Sequence, residues 1–145
     1  MATAPHRANG QRSIRVSFRT QTLAIPVDRP VVLLNSGAAF GASKLWPTEY
    51  FAELARRIVQ AHQCTVLAIC GPRERDIART ITRLADDPRV ISLADKRLGD
   101  DFPLPIGLSK ACVRRAALMV TTDSGPRHFA AAFDVPVITL FGPTP

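Results

Sequence analysis

Val120-Thr-Thr-Asp123-Ser124-Gly125-Pro126-Arg127-His128-Phe129-Ala-Ala-Ala132 decides how this chain is read. An apolar strand ends in Asp-Ser-Gly, a proline opens a helix, and a histidine stands in that helix's first turn. Proline lacks an N–H and suits the start of a helix, where none is needed, while Gly125 before it can act as the cap. The amides of Arg127 and His128 are then expected to face outward beyond the strand. Free N–H groups and the positive end of the helix dipole make such a corner an anion site, for phosphates above all. A second strand, Pro136 to Phe141, runs on into Gly142-Pro143-Thr144.

Working back from this stretch, apolar runs alternate with helical periods. Val31-Val-Leu-Leu34 reads as a buried strand, followed by a Gly-containing loop from Ser36 to Trp46. Pro47 suits a first helical position, and Phe51, Leu54, Ala55, Ile58 and Val59 keep the spacing of one helix face. Thr65 to Cys70 predicts the next strand, broken by Gly71-Pro72. Ile77, Ile81, Leu84 and Ala85 mark a second helix, and Val90 to Leu93 a third strand. Residues 94–107 read as a long loop, and a helix from about Leu108 to Ala116 leads to strand Leu118–Thr122. Strands separated by helices need crossover connections, so the fold class is α/β, a Rossmann-like parallel sheet with helices on both faces. Ligands sit beyond the carboxyl ends of the strands in such sheets. The loops Ser36–Lys44, Gly71–Glu74, Asp123–His128 and Gly142–Thr144 all follow strands and should converge on one rim.

With 145 residues, 46% of them hydrophobic, the chain can bury one substantial core. Five of its 19 Lys and Arg lie in the first 30 residues against a single acid, Asp28, which leaves net +4 there and +3 in the rest. Residues 1–30 are expected to be a basic, disordered or irregular tail, and residues 31–145 a Rossmann-like domain. A basic balance carried by a tail, with almost no interleaved aromatics, argues against a nucleic-acid-binding face. Cys64, Cys70 and Cys112 lie in apolar runs without metal-type spacing, as buried thiols of a reducing cytoplasm do. No apolar run approaches the ~18 residues of a membrane-spanning helix.

Chemistry concentrates in a few side chains. His128 can donate to a phosphate oxygen, and Asp123 can bind sugar hydroxyls or brace the loop; the same residues also read as a partly buried filler and a turn residue. Lys44, in Gly37-Ala-Ala-Phe-Gly41-Ala-Ser-Lys44-Leu-Trp46-Pro47, is a point charge able to neutralise a diphosphate, or else a solvated surface lysine. Glu74 reads either as a first-turn acid favoured by the helix dipole or as an acceptor for a ribose hydroxyl. Trp46 reads as an apolar staple ahead of its helix. No Walker A loop and no Gly-x-Gly-x-x-Gly follow a strand, so no dinucleotide cofactor is expected. Ser124 lacks the surroundings of a catalytic nucleophile, and the histidines lack metal-ligand spacing.

Four segments together resemble glycosyltransferase family 9, the heptosyltransferases. They are the small-residue loop ending in Lys44-Leu-Trp46-Pro47, Gly71-Pro-Arg-Glu74, Thr122-Asp-Ser-Gly-Pro-Arg-His128, and Pro136-Val-Ile-Thr-Leu-Phe-Gly142-Pro-Thr144. The likeness spans residues 31–145 and implies that they form a nucleotide-sugar-binding domain. It implies one half of a GT-B architecture, in which two Rossmann-like domains face across a cleft. It also implies transfer of a heptose from an ADP-activated donor to the lipopolysaccharide core at the cytoplasmic face of the inner membrane, with peripheral membrane association. Donor-binding residues carried over are Ser36, Lys44, Glu74, Asp123, Ser124, Gly125, His128, Gly142, Pro143 and Thr144. The family's general base and acceptor surface belong to an N-terminal domain that residues 1–30 cannot encode. The chain is therefore expected to be truncated and, alone, to bind nucleotide without transferring sugar. The alternative expectation is a stand-alone nucleotide- or phosphosugar-binding module.

Overall fold

The run Val31-Val-Leu-Leu34 is apolar at every position because the strand it forms is covered on both faces. The computed structural model describes residues 6–8, 11–18, 21–26, 28–37 and 45–142. Its elements are strands β1 (His6–Ala8), β2 (Gln11–Phe18), β3 (Gln21–Pro26) and β4 (Val31–Asn35), helix α1 (Thr48–Ala61), strand β5 (Thr65–Ile69) and helix α2 (Arg75–Ala85). There follow β6 (Val90–Ser92), α3 (Ile106–Arg114), β7 (Leu118–Thr122), α4 (Pro126–Ala132) and β8 (Val137–Leu140). Five strands form a parallel sheet in the order β6-β5-β4-β7-β8.

Alternate residues of the central strand enter different cores. Val31 and Leu33 pack with Leu67, Ile69 and Met119 beneath Leu108, Val113 and Ala130 of α3 and α4. Val32 and Leu34 pack with Val66 and Val120 beneath Phe51, Ala55 and Val59 of α1 and Ile81 of α2. Helices thus cover both faces, as the alternation of strands and helices requires. No helix among the described residues is long and apolar enough to cross a membrane.

Local signals set the helix starts. Pro47 is the cap of α1 rather than its first helical residue, with φ −53° and an extended ψ of 137°. Trp46 stands edge-on to Phe51, ring centroids 5.0 Å apart, which makes the pair a hydrophobic staple across the helix start. The loop expected over residues 94–107 contains a one-turn 3-10 helix, Lys96–Leu98, and α3 begins directly after its cap, Pro105. Arg79 and Arg75 strap that loop to α2. Arg79 donates to the Ala94 carbonyl at 2.7 Å and pairs with Asp100, and Arg75 donates to the Phe102 carbonyl.

Among the first 30 residues, where an irregular tail is expected, the described ones form three strands. β1, β2 and β3 pair antiparallel in that order, with Ile14 opposite Ile25 and Val16 opposite Leu23. The physical reason is a period of two in the sequence, Ile14, Val16 and Phe18 between polar or charged neighbours, which selects strand over coil whatever the net charge. Ile25 is only 5% exposed and belongs to the same core as Leu98 and Phe102.

Two measurements probe this packing. Phe51 is fully buried, so Phe51→Ala is expected to lower unfolding free energy by about 3–5 kcal/mol in a denaturant titration. Burial pushes the thiols of Cys70 and Cys112 up to about 11 from their ordinary 9.0. A raised folded-state value gives stability that is complete below pH 9 and is lost as pH rises through about 11. The melting temperature should fall across that window, and fall less in Cys112→Ala.

Candidate functional site

The sheet order reverses direction at β4, whose neighbours β5 and β7 lead to connections on opposite sides, and a cleft opens there beyond the strand ends. Its volume is about 330 Å³. Asn35 and Gly37 follow or end β4, Cys70 to Glu74 follow β5, and Ser124 to Pro126 follow β7. Leu104, Ile106, Ser109 and Phe129 close the α3 and α4 side. Three of the four loops expected to converge therefore do contribute described residues to one cleft.

Asn35, the polar residue that ends an otherwise apolar strand, organises the centre of this rim. It is 5% exposed, and its Nδ2 donates to Thr121 Oγ1 at 2.9 Å and to Ser124 Oγ at 2.7 Å. Thr121 Oγ1 in turn donates to the Thr122 carbonyl at 2.9 Å, and Thr122 Oγ1 donates to the Gly37 carbonyl. The ends of β4 and β7 are thus stitched together by side chains on both strands. A buried polar group needs such partners, because leaving one unmade costs about 1–3 kcal/mol.

Glu74 occupies the cap position of α2, but its side chain turns back, and Oε2 accepts the Gly71 N–H at 2.6 Å. Two glycines leave room for this carboxylate. A Cβ at Gly71 would lie 2.6 Å from Glu74 Oε2, and one at Gly37 would lie 3.2 Å from Cδ. Glu74 therefore closes the β5–α2 turn while lining the cleft, with Oε2 spent in that bond.

The corner after β7 differs from expectation in one respect. Gly125 is the cap and Pro126 the first residue of α4, as expected, but Gly125 is itself helical (φ −49°, ψ −43°). The turn consequently begins one residue early. The Arg127 N–H donates to the Ser124 carbonyl at 3.3 Å and the His128 N–H to the Gly125 carbonyl at 3.0 Å. Neither amide is left for the rim, and α4 is only seven residues long. Asp123 forms an ion pair with Arg127 at 3.1 Å, and the same guanidinium lies 5.7 Å from the Phe141 ring centroid. His128 is exposed and does not line the cleft. Ser36 is 2% exposed with its Oγ buried and unpartnered, between two residues that do line the cleft. Gly142 is half-buried and outside the cleft lining. Lys44, Pro143 and Thr144 lie outside the described residues.

The model of glycosyltransferase family 9 (heptosyltransferase) matches residues 5–145. The chain belongs to this family. It is 32% identical over 132 residues to lipooligosaccharide heptosyltransferase 2 of Haemophilus influenzae, covering 88% of this chain and 35% of that protein. To lipopolysaccharide heptosyltransferase 2 of Escherichia coli it is 28% identical over 131 residues, covering 88% and 35%. Among solved structures, E. coli ADP-heptose lipopolysaccharide heptosyltransferase II superposes with a TM-score of 0.67 at 25% identity, over 83% of this chain and 35% of that one. E. coli heptosyltransferase WaaC, solved with ADP, superposes with a TM-score of 0.63 at 27% identity, over 81% and 35%. The chain thus spans about a third of the length of the relatives it matches.

In this family 9 chain the cleft also contains residues that the sequence motifs pass over. Asn35 is the foremost, and its signal was available: an amide at the carboxyl end of an apolar strand, just before a small-residue loop. Leu104 and Ile106 had no comparable signal, because their place depends on how the start of α3 packs.

The Glu74 bond can be tested through its glycine. Gly71→Ala should push the carboxylate aside and break its bond to the Gly71 amide, lowering unfolding free energy by about 1–3 kcal/mol. The loss should shrink in a Glu74→Ala background, where the added methyl meets no carboxylate. An equal loss in both backgrounds would place the strain elsewhere.

Proposed function

We propose that this chain forms the donor-binding wall of a heptosyltransferase-like site, one that grips the diphosphate of an ADP-sugar for transfer to a lipopolysaccharide-type acceptor. The observation that carries the reading is the convergence of the β4, β5 and β7 loops on one cleft at the sheet's switch point, in a chain of this family. A relative of the same fold was solved with ADP, and another structure is of WaaC with ADP-2-deoxy-2-fluoro heptose.

In this reading Ser124 and Lys44 meet the diphosphate oxygens, and Ser36, Gly142, Pro143 and Thr144 border the same anion. Gly125 lets the ligand approach the backbone closely. Asp123, held by Arg127, braces the loop and faces the sugar hydroxyls, with His128 at the outer edge. Glu74 meets the ribose. Rate enhancement from such a wall comes from stabilising the negative charge on the departing diphosphate with donors already in place. Positioning an acceptor against the sugar is a separate task, which we assign to a facing surface outside the described residues. The work takes place at the inner face of a membrane that carries the acceptor.

Calorimetry on the 145-residue chain tests this. ADP is expected to bind more tightly than UDP or GDP, and Lys44→Ala to weaken ADP about tenfold or more, the loss of one charge-assisted contact. A folded chain, by circular dichroism, that binds no ADP would overturn the donor reading. With an ADP-sugar and acceptor the chain alone is expected to transfer nothing, and a donor-dependent product would show that it holds a complete active site.

A further inference from the structure

The hydrogen bonds at the β4 and β7 ends run in one direction. The Thr121 hydroxyl donates its single proton to the Thr122 carbonyl across 2.9 Å. Thr121 Oγ1 accepts from Asn35, whose amide nitrogen faces both hydroxyls. The second N–H of that amide then points at Ser124 Oγ, 2.7 Å away. Ser124 accepts this bond and keeps its own proton. Among the described residues the remaining oxygen near it is Thr121 Oγ1, at 3.4 Å, the outer limit of a hydrogen bond. Ser124 lines the cleft, as Asn35 does.

We infer that Asn35 is a positioning residue for ligand binding, acting through Ser124. By filling one lone pair of the Ser124 oxygen and pinning it in place, it leaves the hydroxyl proton to be offered to an anionic oxygen in the cleft. It also polarises the hydroxyl, since a chain of hydrogen bonds running in one direction strengthens each member. The chain runs from the Asn35 amide through the Ser124 oxygen to the ligand. A second branch, through Thr121 to the Thr122 carbonyl, holds the amide to its orientation. The inference rests on the donor-site reading for the identity of the ligand, a nucleoside diphosphate, and on this geometry for the role of Asn35.

A double-mutant cycle read with ADP tests it. Ser124→Ala and Asn35→Ala are each expected to weaken ADP, the first by about tenfold or more. The doubly substituted chain should bind no more weakly than Ser124→Ala alone, because Asn35 has nothing left to position. A residue that merely supports the cleft would cost the same in either background, so fold-changes that multiply would overturn the inference. Thr121→Val keeps side-chain shape and frees the amide of Asn35 from its second anchor. It gives a parallel cycle with a smaller expected loss, and one that holds where Asn35→Ala fails to fold. ADP binding by the unsubstituted chain together with multiplying losses would reject the role of Asn35 alone. No ADP binding by the unsubstituted chain would reject the donor reading and this inference with it.

Discussion

Burial of β4 on both faces is the constraint from which the rest of the molecule follows. A strand that sends Val31 and Leu33 into one core and Val32 and Leu34 into the other needs a helical layer on each side. Parallel neighbours β5 and β7 then require crossovers, and α1, α2 and α3 supply them while covering those faces. The carboxyl ends of three strands come to lie side by side as a consequence. A cleft at that edge is what remains where the two helical layers part.

Among the described residues, four of the six buried polar ones, Asn35, Ser36, Thr121 and Thr122, gather where β4 and β7 end at the cleft. Asn35 bonds across to Thr121 and Ser124, and Thr122 across to the Gly37 carbonyl, so the strand ends are tied to each other. Glu74 does the same service for the β5–α2 turn through the Gly71 amide. A site assembled from separate loops must be held to a fraction of an ångström if it is to grip an anion. Fully satisfied hydrogen-bond networks do this better than apolar contacts, which tolerate sliding. Among the described residues of these loops, the Ser36 hydroxyl and the Arg127 Nε are the buried polar groups without a hydrogen-bond partner.

Much of this was legible in the chain itself. The strand from Leu118 to Thr122 has its expected bounds, and the run Thr65 to Ile69 departs by one residue, because a continuous apolar run admits few alternatives. The motif residues Glu74, Ser124 and Gly125 lie in one cleft, as their positions after strands implied. Net charge drew the first 30 residues toward disorder, although the alternation of Ile14, Val16 and Phe18 already described a strand. The amides of Arg127 and His128 were assigned to the rim on the strength of Pro126, whereas the helical Gly125 closes the turn over them.

By itself the sequence determined the α/β class, the family, the layout of the helices and the loops that border the cleft, because each depends on patterns within a few residues. Only the tertiary structure decided what those loops do to one another. Asn35 reaches residues 86 and 89 positions away, and no local pattern encodes a contact at that distance. It exists because parallel pairing sets Asn35 beside Thr121, a register fixed by burial of the whole sheet. The contact of Asn35 with Ser124 follows from that pairing, and with it the placing of a hydroxyl in the cleft.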